Sequence, residues 1–237
     1  MATYIGTEGA DTFTGGAGAD QFFLFGGEDS VSGGDGNDLI VLTEGGSDLI
    51  DGGDGVDTVV LRGDFADYAL AVSGGALTLT SGGVVETLTG VEAVAFDDRV
   101  IRVVGAGGYT SIQDAIDDAG DGEFILILDG VYTEQLTIEG RSNLTLFTLP
   151  GADVTLEAPA DLAANGGSDT LNQLVRAVVA VSDSTNIDIS GLTIDGAYAA
   201  GTSTAPGGDE FAGIAYLRSS GDVTDVEITD IGYDPSA

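Results

Sequence analysis

Residues 6–60 read GTEGADTFTGGAGADQFFLFGGEDSVSGGDGNDLIVLTEGGSDLIDGGDGVDTVV, and their period decides the fold of the first part of the chain. The aspartates Asp11, Asp20, Asp29, Asp38, Asp48 and Asp57 recur at spacings of nine, nine, nine, ten and nine. Two residues after each stands an apolar side chain: Phe13, Phe22, Val31, Ile40, Ile50 and Val59. Two columns that share one period, including the same slip, mark a structural repeat. Leu42 accounts for the slip as an inserted residue. Glycines ahead of each aspartate supply the φ > 0 positions of a tight turn. The carboxylate and the turn carbonyls then face a cation, and the short apolar stretch is a strand with one inward side chain.

This pattern resembles the RTX nonapeptide repeat, G-G-x-G-x-D-x-U-x, of calcium-binding parallel β-rolls in secreted toxins, proteases and lipases. The turns at 15, 33 and 52 read GGAGAD, GGDGND and GGDGVD and match the family's turn. Those at 6, 24 and 43 read GTEGAD, LFGGED and TEGGSD and each lack an expected glycine. The roll that the resemblance implies makes one coil from two repeats, so the intact turns share one edge. The resemblance therefore implies a good row of Ca²⁺ sites at Gly15, Gly18, Asp20, Gly33, Asp35, Gly36, Asp38, Gly52, Asp54, Gly55 and Asp57. It implies a weaker row near Asp11, Asp29 and Asp48.

Charge explains why Ca²⁺ should control folding. Residues 1–60 hold twelve acidic side chains and no basic one. Stacking two carboxylates about 4 Å apart costs ~4 kcal/mol at an effective dielectric near 20. A cation that removes this repulsion turns binding energy into folding energy.

The whole chain continues the theme, with 40 acidic residues against 6 basic ones and a formal net charge of −34. Such a chain repels nucleic acid and anionic membrane surfaces. It has neither cysteine nor histidine, so only oxygen ligands are available, which suit Ca²⁺ and Mg²⁺. Disorder, the usual partner of high acidity, is excluded because 43% of the residues are apolar and patterned. No apolar run reaches transmembrane length. The N-terminus lacks the basic and apolar regions of a signal peptide, so the expected route is the type I export that the resemblance implies, to an extracellular location.

Beyond the repeats the period stops. YALAVSGGALTLTSGGVVETL, within residues 61–104, alternates around Gly-Gly turns and predicts antiparallel hairpins. LTGVEAVAFDDRV looks like the segment that closes many RTX rolls, with Val91, Val94 and Phe96 over the last coil. Asp97 and Asp98 are either solvated acids or further metal ligands.

From Gly105 the pattern changes. Ser111 and Asp114 begin a capped helix through Ile112, Ala115, Ile116 and Ala119 that ends near Gly120 or Gly122. Short β-rich runs follow at 124–128, 136–138, 144–148, 154–156, 178–181, 187–194, 213–217 and 226–228, with glycine, asparagine and aspartate between them. Residues 105–237 thus predict a parallel β-helix with a helix plugging its N-terminal end. At ~20–25 residues per turn of the helix, about five or six coils fit.

YTSIQDAIDDAGDGEFILILDGVYTEQLTI resembles the entry of pectate-lyase-like right-handed β-helices, a superfamily of polysaccharide lyases, esterases, glycosidases and mannuronan C5-epimerases. The epimerases join such a helix to RTX modules. Those resembling this chain carry a tyrosine followed by Asp-Pro-His, whereas this chain ends Tyr233-Asp234-Pro235-Ser236. Serine in place of histidine leaves no convincing base, so the catalytic residues are unassigned. Asp209 and Glu210 in GGDEF are the other acids considered, with a solvated loop as the simpler reading. The chain reads as a piece of a longer protein whose active site lies downstream.

The expected class is all-β: a calcium-binding β-roll over 1–60, a β-hairpin cap over 61–104 and part of a right-handed β-helix over 105–237. The leading function is a secreted Ca²⁺-binding module joined to a β-helix that handles acidic extracellular polysaccharide. A complete uronate-polymer epimerase or lyase and a non-catalytic matrix protein stay open. Arg141, Arg176 and Arg218 are the cations available to an acidic polymer.

Overall fold

A computed structural model describes residues 1–43, 45–165, 175–197 and 210–231. The chain divides into two compact units, Met1–Thr110 and Ser111–Ala237.

In the first unit the repeats give β1 (Thr3–Ile5), β2 (Thr12–Thr14), β3 (Gln21–Leu24), β4 (Ser30–Asp35), β5 (Leu39–Leu42), β6 (Leu49–Asp54) and β7 (Thr58–Val60). Odd strands stack in parallel as β1-β3-β5-β7 and even strands as β2-β4-β6, so two repeats make one coil. Alternation sends every second side chain inward, so β3 buries Leu24 as well as Phe22 and β5 buries Leu42 as well as Ile40. Phe22, Ile40 and Val59 line up across one sheet and Phe13, Val31 and Ile50 across the other. Phe22, Ile40, Ile50 and Val59 are fully buried. Register runs unbroken from Gln21↔Leu39 to Leu24↔Leu42. The inserted residue therefore lies not at Leu42 but in the turn between it and Asp48, where an extra residue leaves the ladder intact.

After a short 3₁₀ turn at Phe65–Asp67 come β8 (Ala69–Ser73), β9 (Ala76–Ser81), β10 (Val84–Thr89), β11 (Ala93–Ala95) and β12 (Val100–Val104). β8, β9 and β10 form the expected antiparallel meander around Gly74-Gly75 and Gly82-Gly83, all four glycines at positive φ. The segment is more than a meander, however. β10 also pairs in parallel with β6 (Leu88↔Ile50), and β11 pairs in parallel with β7 (Val94↔Val59). Residues 84–95 thus add one more coil, with Leu88 and Val94 buried where the repeats place their apolar residue. β12 then pairs antiparallel with β11. Val91 and Phe96 are buried, as expected.

The second unit opens with α1 (Ile112–Asp118). Asp114 N–H donates to Ser111 Oγ at 3.2 Å. Glu134 carries much of the cap from a distance, accepting from Ile112 N–H (2.8 Å), Gln113 N–H (3.0 Å) and Ser111 Oγ (2.8 Å). Ile112, Ala115 and Ile116 are buried, and α1 lies against the first and third of the strands that follow.

Those strands are β13 (Phe124–Ile127), β14 (Gly130–Thr133), β15 (Leu136–Glu139), β16 (Thr145–Thr148), β17 (Val154–Glu157), β18 (Val175–Ser182), β19 (Asp188–Ser190), β20 (Thr193–Asp195), β21 (Glu210–Leu217), β22 (Val223–Thr224) and β23 (Glu227–Thr229). Within this unit they form three parallel faces, β13-β16-β19-β22, β14-β17-β20-β23 and β15-β18-β21. This is a parallel β-helix with three strands per coil. Its interior stacks like on like, as in Ile125↔Leu146↔Ile189 and Leu156↔Ile194. Asn143 and Asn186, both at positive φ, form a side-chain ladder at 2.9 Å along one corner. The described strands make three complete coils and two strands of a fourth. That is fewer than five or six, because long segments separate β17 from β18 and β20 from β21.

Candidate metal centre

The coil geometry sorts the aspartates by edge. Turns carrying Asp20, Asp38 and Asp57 lead from an even strand to an odd one, and those carrying Asp11, Asp29 and Asp48 lead back. The intact motifs therefore line one edge and the degenerate motifs the other.

Along each edge the carboxylates form a ladder. Asp38 Oδ1 accepts from Asp20 N–H, and Asp57 Oδ1 from Asp38 N–H, each at 2.7 Å. On the other edge Asp29 Oδ1 accepts from Asp11 N–H and Asp48 Oδ1 from Asp29 N–H, each at 2.8 Å. One oxygen of each aspartate from Asp20 onward thus satisfies the backbone of the preceding coil. The first rungs are satisfied twice. Asp11 Oδ2 accepts from Thr7 N–H (2.6 Å) and Thr7 Oγ1 (2.9 Å), and Asp20 Oδ2 from Gly16 N–H (3.1 Å). Asp20 also accepts from Ala2 N–H, which holds its carboxyl below the usual range against the opposing effect of burial.

Deeper in, the second oxygen has nothing. Oδ2 of Asp29, Asp38, Asp48 and Asp57 is buried without a hydrogen-bond partner, and Asp57 is 0% exposed. An unpaired buried charge is costly. Burial pushes the Asp38 carboxyl up, and pushes those of Asp48 and Asp57 up to about 6, the neighbouring aspartates adding to the rise.

Calcium fits what these oxygens lack. It takes six to eight oxygen ligands, carboxylate and carbonyl alike, in flexible geometry. Among the described residues no three acidic side chains gather closely enough to hold an ion by carboxylates alone, so main-chain carbonyls must complete any shell. The turns keep those carbonyls close. A Cβ on Gly33 would lie 2.3 Å from Asp38 Oδ2 and 2.3 Å from Gly52 O, and one on Gly15 would lie 1.8 Å from Gly33 O. Side chains are excluded there because carbonyl and carboxylate occupy the space. Gly18, Gly36 and Gly55 instead hold left-handed backbone, with φ of 99°, 114° and 144°. Asp35 and Asp54 pair in register, but their side chains are exposed and outside the buried ladder.

The family model of the RTX calcium-binding nonapeptide repeat, in four copies, matches residues 5–40 and 41–64. This segment is a run of RTX repeats. RTX repeats bind Ca²⁺, an ion whose preference for oxygen ligands suits the unpartnered carboxylate oxygens. Among solved structures the chain is similar to the extracellular lipase LipA from Serratia marcescens, at 17% identity and a TM-score of 0.26. That match covers 84% of this chain and 33% of the lipase, so the chain spans about a third of the lipase's length. Among curated proteins none matches the chain.

Two acids outside the RTX motif stand in its ladders. Asp48 N–H donates to Glu86 Oε2 at 2.9 Å and Asp57 N–H to Glu92 Oε2 at 2.7 Å. Both glutamates are buried, which pushes each carboxyl up to about 7. Sequence reasoning missed them because no Gly-Asp motif surrounds them; the signal was the apolar residue two places on, Leu88 and Val94. Asp97 and Asp98 have local work: Asp97 Oδ2 accepts from Gly63 N–H (2.8 Å), and Asp98 accepts from Phe65 N–H (2.8 Å) and Arg99 Nε–H (2.8 Å).

In the second unit the three arginines considered for an acidic polymer are engaged. Arg141 donates to the carbonyls of Ala119 (2.6 Å) and Asp117 (2.9 Å) at the end of α1. Arg218 forks onto Asp183 with both bonds at 2.6 Å, and Arg176 donates to Leu162 O. Tyr233, Asp234, Pro235 and Asp209 lie outside the described residues, and Glu210 begins β21 rather than sitting in a loop.

Proposed function

We propose that this chain is an exported module whose RTX roll folds on Ca²⁺ and carries a β-helix that binds acidic extracellular polysaccharide. The observation that carries the calcium reading is the set of four buried, unpartnered Oδ2 atoms on two stacked ladders. Asp20, Asp38 and Asp57, with carbonyls of the turns at Gly15–Gly18, Gly33–Gly36 and Gly52–Gly55, supply one row. Asp11, Asp29 and Asp48 supply the second. The carboxylate ladders of the two rows are alike, so any difference in affinity comes from the glycines that the second row lacks.

Export follows from concentration. Extracellular modules work at affinities on the order of 10⁻⁴–10⁻³ M, which cytosolic Ca²⁺ does not reach. A self-repelling chain stays unfolded inside and folds on meeting calcium. That no helix among the described residues is long and apolar enough to cross a membrane accords with this.

The polysaccharide reading rests on the three-faced parallel coil and on the resemblance of its entry segment. With the arginines engaged and 40 acidic residues in the chain, an acidic polymer would be held through bridging Ca²⁺. Co-sedimentation with pectate and alginate, in Ca²⁺ and in chelator, tests it. Calcium-dependent retention without new unsaturated or epimerised uronate is the expected result. Turnover would make the chain an enzyme, and no retention would remove the polysaccharide.

A further inference from the structure

Glu92 stands where an eighth repeat would place its aspartate, Glu86 having taken the seventh place on the other edge. The register Ala93↔Thr58 sets Glu92 over Asp57. Ala93 N–H donates to Asp57 O at 3.0 Å, as Thr58 N–H does to Asp38 O and Leu39 N–H to Asp20 O, both at 2.9 Å. Glu92 Oε2 accepts the Asp57 N–H at 2.7 Å, the distance at which Asp57 Oδ1 accepts from Asp38.

The stacked carbonyl recurs too. A Cβ on Gly52 would lie 1.9 Å from Gly90 O, just as one on Gly33 would lie 2.3 Å from Gly52 O. Carboxylate and carbonyl of a turn are therefore both present one coil past the last motif. Between them Asp57 Oδ2 lies buried and unpartnered, 2.6 Å from that same Gly52 Cβ position. Glu92 has a second carboxylate oxygen beyond the one that caps Asp57, and its side chain is only 5% exposed.

We propose that Glu92 is a calcium ligand, holding with Asp57 and the main-chain carbonyls of the Gly52 turn and Gly90 an ion at the C-terminal end of the intact row. This deepens the calcium reading and rests on it. The roll's metal content then exceeds what its Gly-Asp motifs alone would hold, and the added coil is a working part of the metal site.

The simpler alternative is that Glu92 only accepts the Asp57 N–H. Glu92→Gln separates the two, since the amide keeps shape and acceptor but loses the charge. Bound Ca²⁺ per full-length chain is measured by equilibrium dialysis for wild type, Glu92→Gln and the exposed control Glu139→Gln. The expected result is one fewer Ca²⁺ at saturation in Glu92→Gln, with its folding midpoint at higher Ca²⁺ and the control unchanged. Equal stoichiometry and midpoint would overturn the proposal while leaving the calcium reading intact. A wild type that binds no Ca²⁺ would overturn both. Should Glu92→Gln not fold in saturating Ca²⁺, Glu92→Asp decides: recovery of the full count supports a ligand, and equal failure refutes it.

Discussion

Replacing Gly33 by alanine should damage the roll far more than replacing Gly16, although both belong to the glycine pair that opens an intact turn. Gly33 has no positive φ to protect, so left-handed strain is not the reason. Its added Cβ would lie 2.3 Å from Gly52 O, which is main chain, and 2.3 Å from Asp38 Oδ2. Neither can retreat cheaply. Gly52 is fixed in β6, and Asp38 is fixed by the bond from Asp20 N–H (2.7 Å). Contacts this short cannot be accommodated without a backbone shift, and overpacking of this kind costs ~3 kcal/mol. At roughly 4–8 °C per kcal/mol for a domain near this size, the melting temperature should fall by about 12–24 °C. At Gly16 an added Cβ meets nothing within 4 Å, and the change should stay within about 0.5 kcal/mol, or stabilise slightly by restricting the unfolded chain. Calorimetry of both variants in saturating Ca²⁺, following the transition that moves with Ca²⁺, measures the difference. Equal melting of Gly33→Ala and Gly16→Ala would refute the stacked-carbonyl turn.

Acidification should stabilise the metal-free roll. Asp48 and Asp57 near 6, and Glu86 and Glu92 near 7, sit above their ordinary values of 3.8 and 4.5. A carboxyl raised by folding contributes stability that is complete below its unfolded value and lost as pH climbs through its folded value. Ionising each one costs the metal-free fold ~3 kcal/mol. In chelator the roll should therefore be more structured by circular dichroism at pH 5 than at pH 7.5, whereas Ca²⁺ affinity should fall as pH falls over the same interval because the ion must displace these protons; a metal-free roll that gains structure as pH rises would contradict this. In the second unit, Glu134→Ala removes the acceptor for two N–H groups of α1 and for Ser111, and should cost ~2 kcal/mol. Its urea transition should move while the Ca²⁺ titration stays where it was, and a shifted titration would contradict that separation.

The roll was legible because its signal is double. Glycine and aspartate fix the turn, an apolar residue fixes the strand, and each repeats the other's period. Edge assignment of the intact turns followed from parity once the resemblance implied two repeats per coil. Where one column disappears the reading fails. Glu86 and Glu92 keep the apolar residue two places on, but glutamate replaces aspartate and only part of the glycine pattern is present, so the added coil was hidden inside what reads as hairpins around Gly82-Gly83. The inserted residue could not be placed from spacing, since either side of Leu42 gives the same count and only the β3–β5 register distinguishes them. In the β-helix, inward positions such as Leu146 and Ile189 were visible, but β22, with two residues, was below the length at which alternation registers. The described strands make fewer coils than a fixed period gives, because β17 ends at Glu157 and β18 begins only at Val175, a separation that no fixed period anticipates.

The central claim is that calcium, not packing alone, holds residues 6–60 together. Hydrogen exchange of the full chain, followed residue by residue in Ca²⁺, in Mg²⁺ and in chelator, tests it most directly. The account predicts that the amides of Asp20, Asp29, Asp38, Asp48 and Asp57 are strongly protected in Ca²⁺ alone and lose protection together in chelator. The interior of the second unit around Ile125, Leu146 and Ile189 should stay protected throughout. Roll amides equally protected in chelator, or unprotected in millimolar Ca²⁺, would contradict it.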